Sequence, residues 1–192
     1  MNKVICLCGK PGSGKSSLSK QLFQDFNIAE YSADTFMLEK YGEIQDLSEF
    51  EQKLNECKDI MYSLSKKQLN AGMNIVFDFG FWTKQERTYV TKIFSDFEVV
   101  FVYLKLPENE LFKRIEKRNQ ERPDHTYFFD KPTFDLLCSK FEEPDESENV
   151  VIFENYEDMC KKLNLHKEHW FQECLCQKHT QKTNKGLRTT CL

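Results

Sequence analysis

The stretch "GKPGSGKS", Gly9 to Ser16, constrains this chain more than any other. It matches G-x-x-x-x-G-K-[ST] at Gly9, Gly14, Lys15 and Ser16, with an apolar run before it and a helical pattern after it. Glycines let the backbone curl until successive N–H groups face phosphate oxygens, and the start of the next helix adds a favourable dipole. The expected cradle for ATP is Gly9, Pro11, Gly12, Ser13, Gly14, Lys15, Ser16 and Ser17. Lys15 should reach the β- and γ-phosphates, and the Ser16 hydroxyl should join the shell of a Mg²⁺ ion.

Such a loop joins a strand to a helix, so its neighbours follow. Val4 to Cys8 reads as a central parallel strand covered on both faces, and Lys15 to Phe26 as the helix. Leu47, Phe50, Leu54, Cys57, Met61 and Leu64 step by three and four until Gly72, which predicts a long one-faced helix. "NIVFDFG", "FEVVFVYLKLP" and "NVVIF" read as further strands, and "NIAEYS" as an edge or second strand. Helices are expected at "TKQERTYVTKIF", at residues 108–122 and 130–141, and at "YEDMCKKLNL". This alternation predicts a three-layer α/β fold around a mostly parallel, five-stranded sheet. Residues 166–192 have no clean period and few aliphatics, so the expected organisation is one domain over 1–165 and an irregular tail.

Composition narrows the function classes. With 192 residues the chain can bury a full core, and a formal charge of −4 lacks the basic field of a protein that coats nucleic acid, although a local basic groove fits the same balance. "MNKVICLCG" is too short an apolar run for a signal peptide, and no run approaches the roughly 18 residues of a membrane span. Eight cysteines without an export signal, five of them in strand or helix patterns, fit buried thiols in a reducing cytoplasm.

Several side chains are placed to act on a bound phosphate. Asp34 follows a strand whose carboxyl end should share a rim with the phosphate loop. It can take a proton from an attacking hydroxyl, or cap the next short helix. Asp78 ends "NIVFDFG" at the same rim, where it can hold Mg²⁺, orient the acceptor, or cap a turn. Arg114, Arg118 and Arg122 recur every four residues before Pro123, as in a lid over a transferring phosphoryl or a solubility stripe. Arg87 fits either the acceptor site or the surface.

Taken together, "GKPGSGKSSL", "YSADTF", "FDFGFWTKQER", "VYLKLPENELFKRIEKRN" and "FEEPDESE" resemble the AAA_33-type family of small P-loop ATP-binding proteins. That family is related to the kinase module of polynucleotide kinases, to chloramphenicol phosphotransferase and to zeta-toxin-like kinases. The resemblance spans residues 3–153, about four fifths of the chain. It implies a nucleoside-kinase-type sheet, ATP–Mg²⁺ on Lys15 and Ser16, Asp34 as general base and the arginines as a lid. It also implies that Phe141 and Pro144 lie beside the adenine.

The leading expectation is an ATP-dependent kinase acting on a hydroxyl, with a small-molecule acceptor first and a nucleic-acid 5′-hydroxyl second. A hydrolase or switch working with a partner, and a lapsed ATP-binding module, are the alternatives. A cytoplasmic monomer or homodimer without membrane contact is expected. His166, His169, Cys174, Cys176 and His179 lack the paired spacing of a structural zinc site.

Overall fold

The computed structural model describes residues 1–166 except Gln45, Arg122, Asp124 and His125. Five strands, β1 (Lys3–Cys8), β2 (Ala29–Ser32), β3 (Ile75–Gly80), β4 (Glu98–Tyr103) and β5 (Val150–Ile152), form one sheet in the order β2-β3-β1-β4-β5. Every pairing is parallel. The expected three-layer fold with a parallel five-stranded sheet is therefore present, and "NIAEYS" supplies the edge strand.

Strand β1 is central and buried along its whole length, which is why it is apolar on both faces. Its side chains alternate between two cores. Ile5 and Leu7 pack with Leu18 and Leu22 of α1 (Lys15–Phe26), Met159 of α7 (Tyr156–Lys162) and Leu163, the residue that follows α7. Val4, Cys6 and Cys8 face the other core, with Met37 of α2 (Ala33–Tyr41), Cys57 and Met61 of α3 (Leu47–Asn70), and Val90 of α4 (Lys84–Ile93). A third, smaller core joins Leu111 and Ile115 of α5 (Glu108–Glu121) to Phe134 and Cys138 of α6 (Lys131–Ser139).

Parallel strands end at one edge of the sheet, and that edge assembles the site. Ser32 stands opposite Asp78, and Cys8 opposite Gly80 and Tyr103, so Asp34, Asp78 and the glycine loop emerge side by side. Helix α2 had no sequence periodicity to announce it. It buries only Ala33 and Met37, one turn apart. Cys6, Cys8, Cys57, Cys138 and Cys160 are buried free thiols, as expected. No helix among the described residues is long and apolar enough to cross a membrane. Leu165 is the last core residue among the described residues, and residues 167–192 of the expected tail lie outside them.

Candidate functional site

The loop from Gly9 to Gly14 depends on glycine where it touches its neighbours. Gly12 has φ 81°, and a Cβ there would lie 2.7 Å from the Leu111 carbonyl oxygen, so α5 packs directly on the loop. Gly14 has φ 99° and forms the N-terminal boundary of α1. Pro11 and Ser13 are buried beneath the turn, whereas Ser16 and Ser17 open to solvent on the first turn of α1. Lys15 Nζ curls into the loop, donating to the carbonyls of Gly9 at 2.8 Å and Lys10 at 3.1 Å. Burial lowers its pKa, against the charges of Asp78 and Asp34, which raise it.

Asp78 is nearly buried, and its Oδ2 accepts a hydrogen bond from Ser16 Oγ at 2.5 Å. That hydroxyl and carboxylate form an oxygen pair of the chemistry Mg²⁺ takes. The turn-capping alternative for Asp78 falls away, because Thr83 and Glu86 already make the capping box of α4. Asp34 does not cap α2 either. Ser32 is the N-cap, accepting from the Thr35 N–H, and Asp34 sits in the first turn. Solvent reaches Asp34, but dense protein on the remaining sides strips much of its hydration. Burial first, and the Asp78 charge second, push its carboxyl up to about 6; Lys15, Arg118 and Lys58 pull the other way.

On α5 the two described arginines differ. Arg114 is exposed, and its Nη1 would lie 3.8 Å from a Cβ on Gly14, beside the loop. Arg118 is half-buried; it donates to the Tyr127 carbonyl at 3.1 Å and lies 5.2 Å over the Phe129 ring. Its guanidinium also feels the Asp34 charge, while burial lowers its pKa. Arg122 lies outside the described residues.

Arg87 occupies neither of its expected places. It is 1% exposed and spans the interior, gripping Glu148 in a bidentate pair (Nε–Oε2 2.6 Å, Nη2–Oε1 3.1 Å). Its Nη1 also donates to the carbonyls of Phe81 at 3.0 Å and Glu142 at 2.9 Å. The acceptor role is therefore corrected to a structural one, because those bonds commit the guanidinium to the protein. Phe81 has φ 44°, a costly conformation for a bulky residue just past Asp78, and this clamp secures it. Arg87→Met is expected to cost about 3–5 kcal/mol of stability, since it leaves the Glu148 carboxylate nearly buried without its partner. Urea unfolding checks this; a loss under about 1 kcal/mol would contradict the clamp.

The same clamp holds residues 142–148 against the sheet edge. Phe141 packs against Tyr103 at 5.6 Å, and Pro144 is half-buried nearby. Lys58 and Tyr127, which interact electrostatically with Asp34, and Glu43, which interacts with Tyr127, were not anticipated. None carries a motif: Glu43 follows α2, Lys58 stands on α3 and Tyr127 follows α5. Lys58 is paired to Glu86 at 2.8 Å. Among the described residues no His, Cys, Asp and Glu cluster suits a metal ion, and the remaining residues of the zinc reading, apart from His166, lie outside them.

The sequence profile of AAA_33, an AAA domain, matches residues 4–144. The chain belongs to the AAA_33 family. This AAA_33 protein is 25% identical to shikimate kinase of Chlamydia pneumoniae over 170 residues, 84% of this chain and 92% of that protein. A candidate kinase from Chloroflexus aurantiacus superposes with a TM-score of 0.68 at 15% identity, over 87% of this chain and 99% of that one. Mycobacterium tuberculosis APS kinase CysC, in complex with AMPPNP and APS, gives 0.56 at 13% identity, over 85% and 95% of the two chains. The AAA_33 protein thus shares the P-loop kinase-like fold.

Proposed function

We propose that this chain is an ATP-dependent phosphotransferase that moves the γ-phosphate of ATP to a hydroxyl of a small molecule. The observation that carries the reading is Asp34. It is an ionisable carboxylate at the phosphate end of the cleft, released from helix capping and tuned near neutrality. The kinase names of its relative and structural neighbours support the same reaction class.

In this reading the amides of residues 9–14 and Lys15 bind the phosphate chain. Ser16 and Asp78 would hold Mg²⁺, which neutralises charge on the phosphates. The acceptor oxygen attacks the γ-phosphorus, an O–P bond forms, and the bridging P–O bond breaks with its electron pair leaving on ADP. Asp34 takes the hydroxyl proton and later releases it to solvent. Arg114, beside Gly14, and Arg118, beside Asp34, stabilise the charge spread over the transferring group. Phe141 and Pro144 would border the adenine.

The test is to incubate the protein with γ-labelled ATP and hydroxyl compounds, following label into products. Rapid phosphate release with no labelled acceptor would favour a hydrolase instead. The lid assignment has its own check. Structures with and without Mg²⁺–AMPPNP are expected to differ most at α5 and residues 126–129. Arg114 and Arg118 both facing bulk solvent in a ternary complex would remove the assignment.

A further inference from the structure

Resting on the reading of Ser16 and Asp78 as the holders of Mg²⁺, we propose that Arg87 is a positioning residue for that pair. It acts through the Phe81 carbonyl, which fixes a strained turn, and the turn aims the Asp78 carboxylate at Ser16. The observation behind this is an irregularity in the sheet. Strands β1 and β3 pair in step as far as Cys6 and Phe77, and the next pair is Cys8 with Gly80. Asp78 and Phe79 therefore stand opposite the single residue Leu7, whereas β1 keeps its step along β4. A bulge in a parallel pair is uncommon, and bulges beside active sites re-aim a side chain. Here the bulge holds Asp78, whose Oδ2 accepts from Ser16 Oγ at 2.5 Å.

The bulge runs straight into strain. Gly80 has φ 85° and Phe81 φ 44°, two successive left-handed residues, and a bulky side chain resists that region. Such strain persists only where the surroundings over-determine it, and it gathers at functional sites. The surroundings here are hydrogen bonds to each carbonyl of the turn. The Gly80 carbonyl accepts from the N–H of Gly9, the first residue of the phosphate loop, at 3.3 Å. The Phe81 carbonyl accepts from Cys8 Sγ at 3.4 Å and from Arg87 Nη1 at 3.0 Å. The Trp82 carbonyl accepts from the Glu142 N–H at 2.8 Å. Arg87 is the charged donor among these, and charge-assisted bonds are the strong ones.

The guanidinium is itself aimed. Glu148 grips Nε and Nη2, and its Oε1 also accepts from the Asp145 N–H at 3.1 Å. Glu142, whose carbonyl takes a second bond from Nη1, places its Oε2 on the Lys84 N–H at 2.7 Å. Residues 142–148 thus hold the fork so that Nη1 meets the Phe81 carbonyl. An ion pair that served stability alone would need only Glu148. The bond to Phe81 joins the pair to the site by a short path: along the backbone from Phe81 through Gly80 to Asp78, and from Asp78 to Ser16.

The experiment measures by calorimetry how much Mg²⁺ the full chain needs to bind AMPPNP, and sets this beside urea unfolding of the same protein. Arg87→Met is expected to raise the half-saturating Mg²⁺ about 10–100-fold, the usual effect of losing a partner behind a metal ligand. Metal-free AMPPNP binding should fall far less. Two further variants separate fold from site. Arg87→Met combined with Glu148→Met removes the stranded carboxylate, so it should be more stable than Arg87→Met while its Mg²⁺ requirement stays raised. Glu148→Gln should lose stability yet keep a Mg²⁺ requirement close to that of wild type, since Nη1 still reaches the Phe81 carbonyl. If Arg87→Met does not fold, the double variant decides. A Mg²⁺ requirement that follows stability across the variants, or that stays at the wild-type value in the double variant, overturns the proposal. Wild type that binds AMPPNP no better with Mg²⁺ than without it removes the metal reading of Ser16 and Asp78, and the proposal falls with it. The expected variant pattern without any labelled acceptor keeps the positioning role and defeats only the phosphotransfer reading.

Discussion

Lys15→Ala is expected to abolish ATP turnover and to weaken Mg²⁺–ATP binding by about 10²-fold. A charge-assisted hydrogen bond contributes about 1.5–3 kcal/mol, and this ammonium is the charged group placed inside the loop. Its loss also removes the cation that offsets Asp78 and Asp34, so the Asp34 carboxyl should rise further above its present value of about 6. The variant therefore fails twice, in holding phosphate and in keeping the base ionised. Calorimetry separates the effects, since binding reports only the first. Unchanged affinity for Mg²⁺–ATP would displace the nucleotide from this loop.

Asp34→Asn is expected to spare nucleotide binding and to slow transfer by about 10²–10⁴-fold, the usual cost of losing a general base. The wild-type pH profile should carry its signature. With a carboxyl near 6, kcat/KM should be level above that pH and fall about tenfold per unit below it; the asparagine variant should lack this limb. Stability moves in the opposite sense. A folded pKa above the ordinary value of 3.8 means that the folded protein binds the proton more tightly, so this group's contribution turns unfavourable as pH rises from about 4 to about 6. Asp34→Asn should therefore raise the melting temperature at pH 7.5 and lose that advantage near pH 4. A helix cap would give the reverse, a loss of stability with chemistry intact. Equal transfer by wild type and variant would rule out the base.

Much of this was legible in local pattern. The glycine loop announced a strand before it and a helix after it, and helix Lys15–Phe26 and the strand ending at Ser32 follow from apolar runs and their punctuation, whereas β3 runs two residues past Asp78 to Gly80. Asp34 and Asp78 were identifiable because strand ends in a parallel sheet share one rim, a rule of topology that needs no coordinates. Family resemblance then supplied the order of parts, which the match over residues 4–144 bears out.

Other features were settled only when distant segments met. The order β2-β3-β1-β4-β5 comes from the pairing of strands separated by whole helices, and no single segment encodes it. Arg87 lies 61 residues from Glu148, so a charge that reads as surface or site became an interior clamp only through folding. The capping question at Asp34 turned on a competition with Ser32 that backbone geometry, not residue type, resolved. Tyr127 and Glu43 line one cleft from the segments after α5 and α2, where no motif exists to mark them. Sequence by itself determined the chemistry of the phosphate cradle, because backbone amides and one lysine within eight residues suffice for it. The surroundings of Asp34 belong to tertiary structure, because the charges that act on it, Asp78, Lys15, Arg118 and Lys58, come from elements that meet only in the folded chain.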